Sequence, residues 1–348
     1  MIVSCFVFTR QIAAPLFSYL KTGIALLPLL PTVSYSSSID VYATYQNLAG
    51  RLIPLELGKK VEKELFHHGF TTANTTLIAP SISVTPLVIF DQNTNGGNSK
   101  KPLVLGNMKF VGQPDLEKRS GLVAGAETSM KFRHATGWGK YVDFNASISE
   151  AVDVSKLNRI RTNNFKFCSI NHIHNWTYLD ACYGEVSTEK ELSSSTNIYK
   201  NYKLSKLFQF QTDTYGKIGL GHEFRNNGTF DQRVHIIDLE TLNAKRRLSL
   251  IFKHGDKPRV TNQHALKHSV TISSNFKLIQ RSGNVTFTTS RYGGSKLLGF
   301  DRNDKSHTLI FSTKISKHIN LQFGYHQNIS SIDYYSDEYP ILNLNFIN

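Results

Sequence analysis

Cys168 and Cys182 stand 14 residues apart with Asn175 midway between them. An antiparallel hairpin turning near Asn175 would set Cys168 opposite Cys182, Phe167 opposite Tyr183 and His172 opposite Tyr178. The two sulfurs then share a face, so the spacing predicts a cross-strand disulfide, with two free thiols as the other reading. Lys166, Cys168, His172, Asp180 and Cys182 fall on that same face, and Phe165, Phe167, Leu179, Ala181 and Tyr183 on the opposite one. The aromatic face suits lipid, and the other suits water.

Other chemistry is sparser. His172 and His174 lie two apart beside the cysteines, a spacing that would hold zinc, although such residues more ordinarily serve as polar groups of a turn. Asp91, Asn93, Asn95 and Gly96 match the opening of a calcium loop, where oxygens at alternate positions precede a glycine turn. Pro102 occupies the position at which that loop needs a bidentate glutamate, so the stretch reads as an Asx-rich turn. No Gly-x-Ser-x-Gly elbow or comparable nucleophile beside a base is apparent. The chain is therefore not read as an enzyme, and neither cofactor nor metal is expected.

The elements that would carry these residues alternate with a period of two. Val142, Phe144, Ala146 and Ile148 interleave with Tyr141, Asp143, Asn145 and Ser147, and the same rhythm recurs at Ile218 and Leu220, and at Leu248, Leu250 and Phe252. It continues at Leu321, Phe323 and Tyr325 and at Leu342, Leu344 and Phe346. About 13 such segments lie between residues 121 and 348, and about 14 if Leu103 to Val111 is included; single-chain bacterial barrels favour an even number. Segments of about 10 residues suit a tilted bilayer crossing, whereas the competing sandwich or propeller uses strands of about five or six. The pattern predicts an all-β, antiparallel transmembrane barrel of about 14 strands in residues 105–348. Lys166, Lys217, Lys253 and Lys277 take the water-facing parity, which would give a basic lumen favouring anions.

Ahead of the barrel the chain changes character. Residues 1–36 read as a secretory signal, with Arg10 and Lys21, an apolar run from Thr22 to Pro31 and a small-x-small site at Ser34-Tyr35-Ser36, against the alternative of a membrane anchor. Its removal takes Cys5 and leaves an even pair of cysteines, as an oxidising compartment prefers. Residues 37–104 hold one amphipathic helix over Leu57 to Phe70, an extended piece from Ser81 to Phe90 and a polar loop from Asp91 to Lys101. They form a periplasmic extension, a plug, or a first strand and its entry. The formal charge of +14 comes without any nucleic-acid-binding motif and is assigned to rim and lumen.

The last fifty residues carry the most specific pattern. Arg302-Asn-Asp304 leads into Thr308 to Ile315, then Ile319 to Asn328, Ser330-Ser-Ile-Asp-Tyr-Tyr335 and a closing Ile341-Leu-Asn-Leu-Asn-Phe346. This resembles the C-terminal barrel of surface lipoprotein assembly modifiers, in which an Arg-x-Asp turn precedes two strands, a further turn and a final alternating strand; Ala124 to Thr128 fits the start of such a barrel. The resemblance covers residues 105–348. It implies a 14-strand barrel in the outer membrane of a Gram-negative bacterium that delivers a lipoprotein or other client to the cell surface. The partners so implied are outer-membrane lipids, the barrel assembly machinery and the client. The lumen lysines support the alternative of a passive, anion-preferring, porin-like channel.

Overall fold

The computed structural model describes residues 38–48, 55–70, 76–227, 230–243, 246–258, 262–278, 281–316 and 319–346. The proposed signal segment 1–36 lies outside them. Two helices, α1 (Ser38–Leu48) and α2 (Leu55–His67), precede the sheet. The first barrel strand is β1 (Thr76–Asp91), and β2 (Leu103–Leu105) and β3 (Met108–Phe110) form a small separate hairpin. The barrel then continues through β4 (Gly121–Gly137), β5 (Lys140–Asp153), β6 (Arg159–His174), β7 (Thr177–Lys190), β8 (Ser193–Gln211), β9 (Thr214–Asn226) and β10 (Asp231–Asn243). It is completed by β11 (Arg247–Gly255), β12 (Ala265–Leu278), β13 (Arg281–Leu297), β14 (Phe300–Lys314), β15 (Ile319–Ser330) and β16 (Asp337–Phe346). Every neighbour is antiparallel and β16 returns to β1, so the sheet closes with 14 strands and no free edge.

The alternation in the sequence sets which way each side chain points. Leu220, Ile237, Phe252, Phe287 and Phe323 lie exposed on the outside, with Leu220 57% and Phe252 38% accessible. Phe132, Phe144 and Phe165 form an exterior aromatic ladder with ring centroids 4.7 and 5.2 Å apart. The interior positions carry charge and amide groups, many of them buried, including Lys131, Arg133, Asp238 and Glu240. A soluble barrel would reverse this arrangement. An outward apolar band around a closed ladder is how strands satisfy every backbone group within lipid.

Turn chemistry orients the barrel. Asn175 and Trp176 join β6 to β7 with φ of 44° and 56°, the primed geometry of a two-residue hairpin. The connections at this end, which β1 enters first, are all short; the far end bears the long connection 92–120. Short turns mark the periplasmic side and long loops the outside.

Two boundaries differ from the sequence reading. The barrel begins at Thr76, and its fourteenth strand is β1 rather than Leu103 to Val111, which folds as the β2–β3 hairpin above the outer mouth. The alternation fails in β1 because Leu87 and Ile89, on the inner parity, pack against the buried Val123, Ala151 and Ile160, so Leu87 to Phe90 is apolar on both faces. Pro86 further obscures the strand in the sequence, yet it sits in register with Ala126 of β4. The amphipathic helix runs from Leu55 to His67, and α1 joins it as a second helix.

Candidate functional site: the lumen and its two mouths

The helices fill part of the periplasmic mouth. Ile39, Tyr42 and Ala43 of α1 are buried against Tyr178, Leu207 and Tyr215, inward residues near the periplasmic turns of β7, β8 and β9. Tyr42 meets Trp176 and Tyr215 at ring distances of 4.9 and 5.7 Å. Phe66 of α2 packs on Ala135, Tyr141 and Ile170, and Arg133 donates to the His67 carbonyl at 3.0 Å. Gly69 ends α2 with φ of 74°: its N–H returns to the Phe66 carbonyl and that of Phe70 to Leu65, a Schellman closure. The Gly69 carbonyl then accepts from Gly139 N–H at 3.1 Å, stapling the helix end to the β4–β5 turn. Burial lowers the His67 imidazole and raises the Tyr42 hydroxyl from their ordinary pKa values.

Above the helices, charge alternates from strand to strand. Lys203 lies 3.8 Å from Asp180 and 3.3 Å from Asp238; Lys217 lies 3.3 Å from Asp238 and 2.6 Å from Glu240. Arg247 continues the chain, 2.9 Å from Glu240 and 2.8 Å from Asp40. Six ion pairs thus run from β7 across β8, β9, β10 and β11 into α1. Each charge inside a barrel needs such compensation, because a partner removed leaves its neighbour desolvated and unmatched. Arg133 forks onto Asp143 at 2.5 and 2.7 Å, and nearer the outside Glu223 pairs with Lys253 at 3.2 Å and with Arg225.

The outer mouth is crossed by the segment between β1 and β4. On one side Thr94 donates to Asp153 at 2.6 Å, and Lys190 donates to Asp91 at 2.6 Å and to the Asn93 carbonyl at 2.5 Å. On the other, Leu103 and Leu105 pack with Ile332, Tyr334 and Tyr335, while Lys118 reaches Asp337 at 2.5 Å. Beneath this cap Asp304 accepts from Arg302 at 2.7 Å and from Ser330 at 2.6 Å, with His264 at 2.9 Å. Burial raises the Tyr334 and Tyr335 hydroxyls.

The residues singled out in the sequence fall as follows. Cys168 and Cys182 are directly opposed on the inner face and joined by a disulfide, their Cα atoms 4.1 Å apart. His172 and His174 are separated by a register shift. His172 turns inward beside Phe70 and Tyr178 and accepts the Trp176 N–H at 3.2 Å, so the pair does not form a joint metal site. Asp91, Asn93 and Asn95 spend their oxygens on the chain itself: Asp91 accepts from Asn93 N–H, Asn93 from Gly97 N–H and Asn95 from Arg119 N–H, all within 2.9 Å. Among the described residues no cluster of three His, Cys, Asp or Glu could hold a metal.

Lys217 and Lys253 face the lumen but are matched by carboxylates from neighbouring strands, which single-strand parity could not reveal. Among the described residues Lys166 has no ion-pair partner; it lies near Asp143, Asp180 and Lys203. The side chain of Lys277 lies outside the described residues. Sequence reasoning missed the cluster of His264, Arg302 and Asp304. The Arg-x-Asp spacing was visible, but the contribution of His264 depends on a contact between different hairpins.

Fold and site together define an outer-membrane β-barrel with chain in both mouths of its lumen. No family model and no curated protein matches the chain. Among solved structures it is similar to OprD of Pseudomonas aeruginosa, at 8% identity and a TM-score of 0.38, over 80% of this chain and 95% of that one. It is likewise similar to OccD3 (OpdP) of Pseudomonas aeruginosa, at 7% identity and 0.38, over 80% and 92%. A BenF-like porin from Pseudomonas fluorescens Pf-5 matches at 7% identity and 0.37, over 80% and 98%. The architecture itself rests on the closed strand ladder.

Proposed function

We propose that the protein is a porin-like channel for small charged solutes, held shut at rest by α1 and α2. One observation carries this reading: the alternating ladder of the lumen wall ends on the plug, where Arg247 grips Asp40. A water-facing row of fixed charge offers successive weak sites to a passing ion, the condition for conduction rather than capture. Lys166, without an ion pair of its own among the described residues, supplies the anion preference. The test is the reversal potential across a KCl gradient in a planar bilayer, for the chain with α1 released and for the same chain carrying Lys166→Glu. Chloride preference that weakens or inverts in the Lys166 variant supports the proposal; a reversal potential indifferent to Lys166 removes the assigned selectivity, and no current removes the channel.

A second reading, delivery of a lipid-anchored client as the resemblance implies, draws on the seam. β1 and β16 are in register at Leu87, Val88 and Ile89, whereas β15 and β16 match along the whole stretch from Ile319 to Asn328. A short ladder is the cheapest place to part a barrel and pair a client strand. Val88 faces Leu344 there. Bridging them as Val88→Cys/Leu344→Cys leaves ion current unchanged if the protein is a channel, and abolishes surface display of the client if it delivers one.

A further inference from the structure

The outer face of the barrel is not uniformly apolar. Register places His222 of β9 beside His235 of β10, His235 beside His254 of β11, and His254 beside His268 of β12. The row continues through Arg291 of β13 to Lys305 of β14. Consecutive imidazoles are 4.8, 6.4 and 5.5 Å apart, and the Nδ1 atoms of His254 and His268 approach to 3.4 Å. His222, His254, His268, Arg291 and Lys305 are all exposed.

These six share the outward parity of the lipid-facing residues and stand at the external edge of the apolar band. Toward the periplasm along these strands the lipid-facing positions become apolar, at Leu220, Ile237 and Phe252 on β9 to β11 and, past Thr289 and His307, at Phe287 and Leu309 on β13 and β14, each of these five exposed. A cation deep in hydrocarbon is costly, but at the band's edge the cost falls away and an anionic headgroup rewards it. Acid on this sector is scarce at the row itself: Asp256 meets His235 at 3.1 Å, and Asp301 is held 3.6 Å from Lys296. Elsewhere on the exterior Arg159 and Arg161 are already matched, both pairing with Glu150 across β5 and β6, whereas Lys200 and Lys206 of β8 have no carboxylate partner among the described residues. Positive and hydrogen-bonding groups are nevertheless most concentrated on β9 through β14. Arg233, beside the row, lies 5.2 Å over the Phe224 ring, the mixed aromatic and basic setting of a membrane interface.

We propose that this band is a docking site for the phosphate groups of a lipid headgroup in the outer leaflet. Arg291 and Lys305 supply charge, and the imidazoles donate hydrogen bonds between them. Across five strand steps the band spans about 24 Å, wide enough for more than one phosphate. A bound lipid would seal this side of the barrel against its neighbours in the membrane without entering the lumen.

The test uses the full folded chain in a non-ionic detergent with diphosphoryl lipid A as probe, bound lipid being counted by native mass spectrometry. Arg291→Gln/Lys305→Gln/His254→Gln/His268→Gln is compared with Arg159→Gln/Arg161→Gln, which removes as many arginine and lysine charges from an already paired site. Retention of the barrel in each variant is read from its heat-modifiable migration, and Arg291→Gln/Lys305→Gln alone serves if the fourfold change fails to fold. The expected result is a loss of at least about tenfold in lipid retention for the band variant, little change for the control, and weak retention of the same lipid after enzymatic removal of its phosphates. Equal retention by the band variant, an equal loss in the control, or indifference to the phosphates would each overturn the assignment.

Discussion

Arg302 and Asp304, two residues apart on β14, close on each other across the inner face of the barrel, with Nη2 of the arginine 2.7 Å from Oδ2 of the aspartate. The same guanidinium lies 3.5 Å over the Tyr335 ring, so the pair binds a strand to the β15–β16 loop beneath the outer cap. Arg302→Ala leaves a buried carboxylate with only His264 and Ser330. Breaking a buried pair costs roughly 3 kcal/mol, and the loss should fall on the cap rather than on the ladder. Hydrogen exchange is expected to accelerate in residues 92–120 and 331–336 while the strands stay protected; unchanged exchange there would show that the bracket does not hold the cap.

The disulfide spans a hairpin already closed by its own ladder, from Cys168–Cys182 down to the turn at Asn175 and Trp176. Replacing both cysteines by serine should therefore leave the fold intact and lower stability by about 2–3 kcal/mol. Denaturant melting of the reduced and oxidised chain measures it. Equal midpoints would mean that the bridge adds nothing to the hairpin.

Phe252 and Lys253 test the two faces at adjacent positions. Phe252 looks into lipid, and Lys253 pairs inward with Glu223. Phe252→Lys, one step from the external edge of the apolar band, should cost about 1–2 kcal/mol in lipid, less than the roughly 2–4 kcal/mol of a cation at the midplane of a barrel exterior. Lys253→Met leaves Glu223 its pair with Arg225, so it is expected to change conductance more than stability. If refolding into liposomes tolerates Phe252→Lys as readily as Lys253→Met, the inside-outside assignment of β11 is reversed.

Gly69 and Gly139 carry a fourth expectation. A side chain at Gly69 would stand 2.7 Å from the Lys140 carbonyl oxygen while the backbone holds φ of 74°. Gly69→Ala should loosen α2 without disturbing the strands, visible as faster protease cleavage between residues 49 and 75 of the folded barrel. Cleavage at the wild-type rate would mean that the staple to the β4–β5 turn is dispensable.

How much of this was legible in the sequence follows from the range of each interaction. The Cys168–Cys182 hairpin was readable because parity, turn position and sulfur spacing are all local, and the pairs Phe167 with Tyr183 and His172 with Tyr178 lie in the expected register. The number of strands was readable for the same reason. β1 was legible only as an extended piece over Ser81 to Phe90 and as one of three readings of its segment, since Leu87 and Ile89 turn toward an apolar patch of the inner wall and erase the alternation. The charge ladder lay further out of reach: Arg247 and Asp40 are 207 residues apart, and only closure of the barrel makes them neighbours. Single-strand parity therefore pictured a basic lumen, while the folded wall sets carboxylates beside Lys217 and Lys253.

The sharpest trial is a single-channel recording of the wild-type chain beside Asp40→Ala/Tyr42→Ala, which removes the ion pair and the aromatic anchor of α1 and leaves every barrel strand untouched. The wild type should open rarely, and the variant should give long, stable conductance steps at the same salt. A variant that inserts with the migration of a folded barrel yet stays as silent as the wild type, or a wild type already open throughout, would contradict the plugged channel.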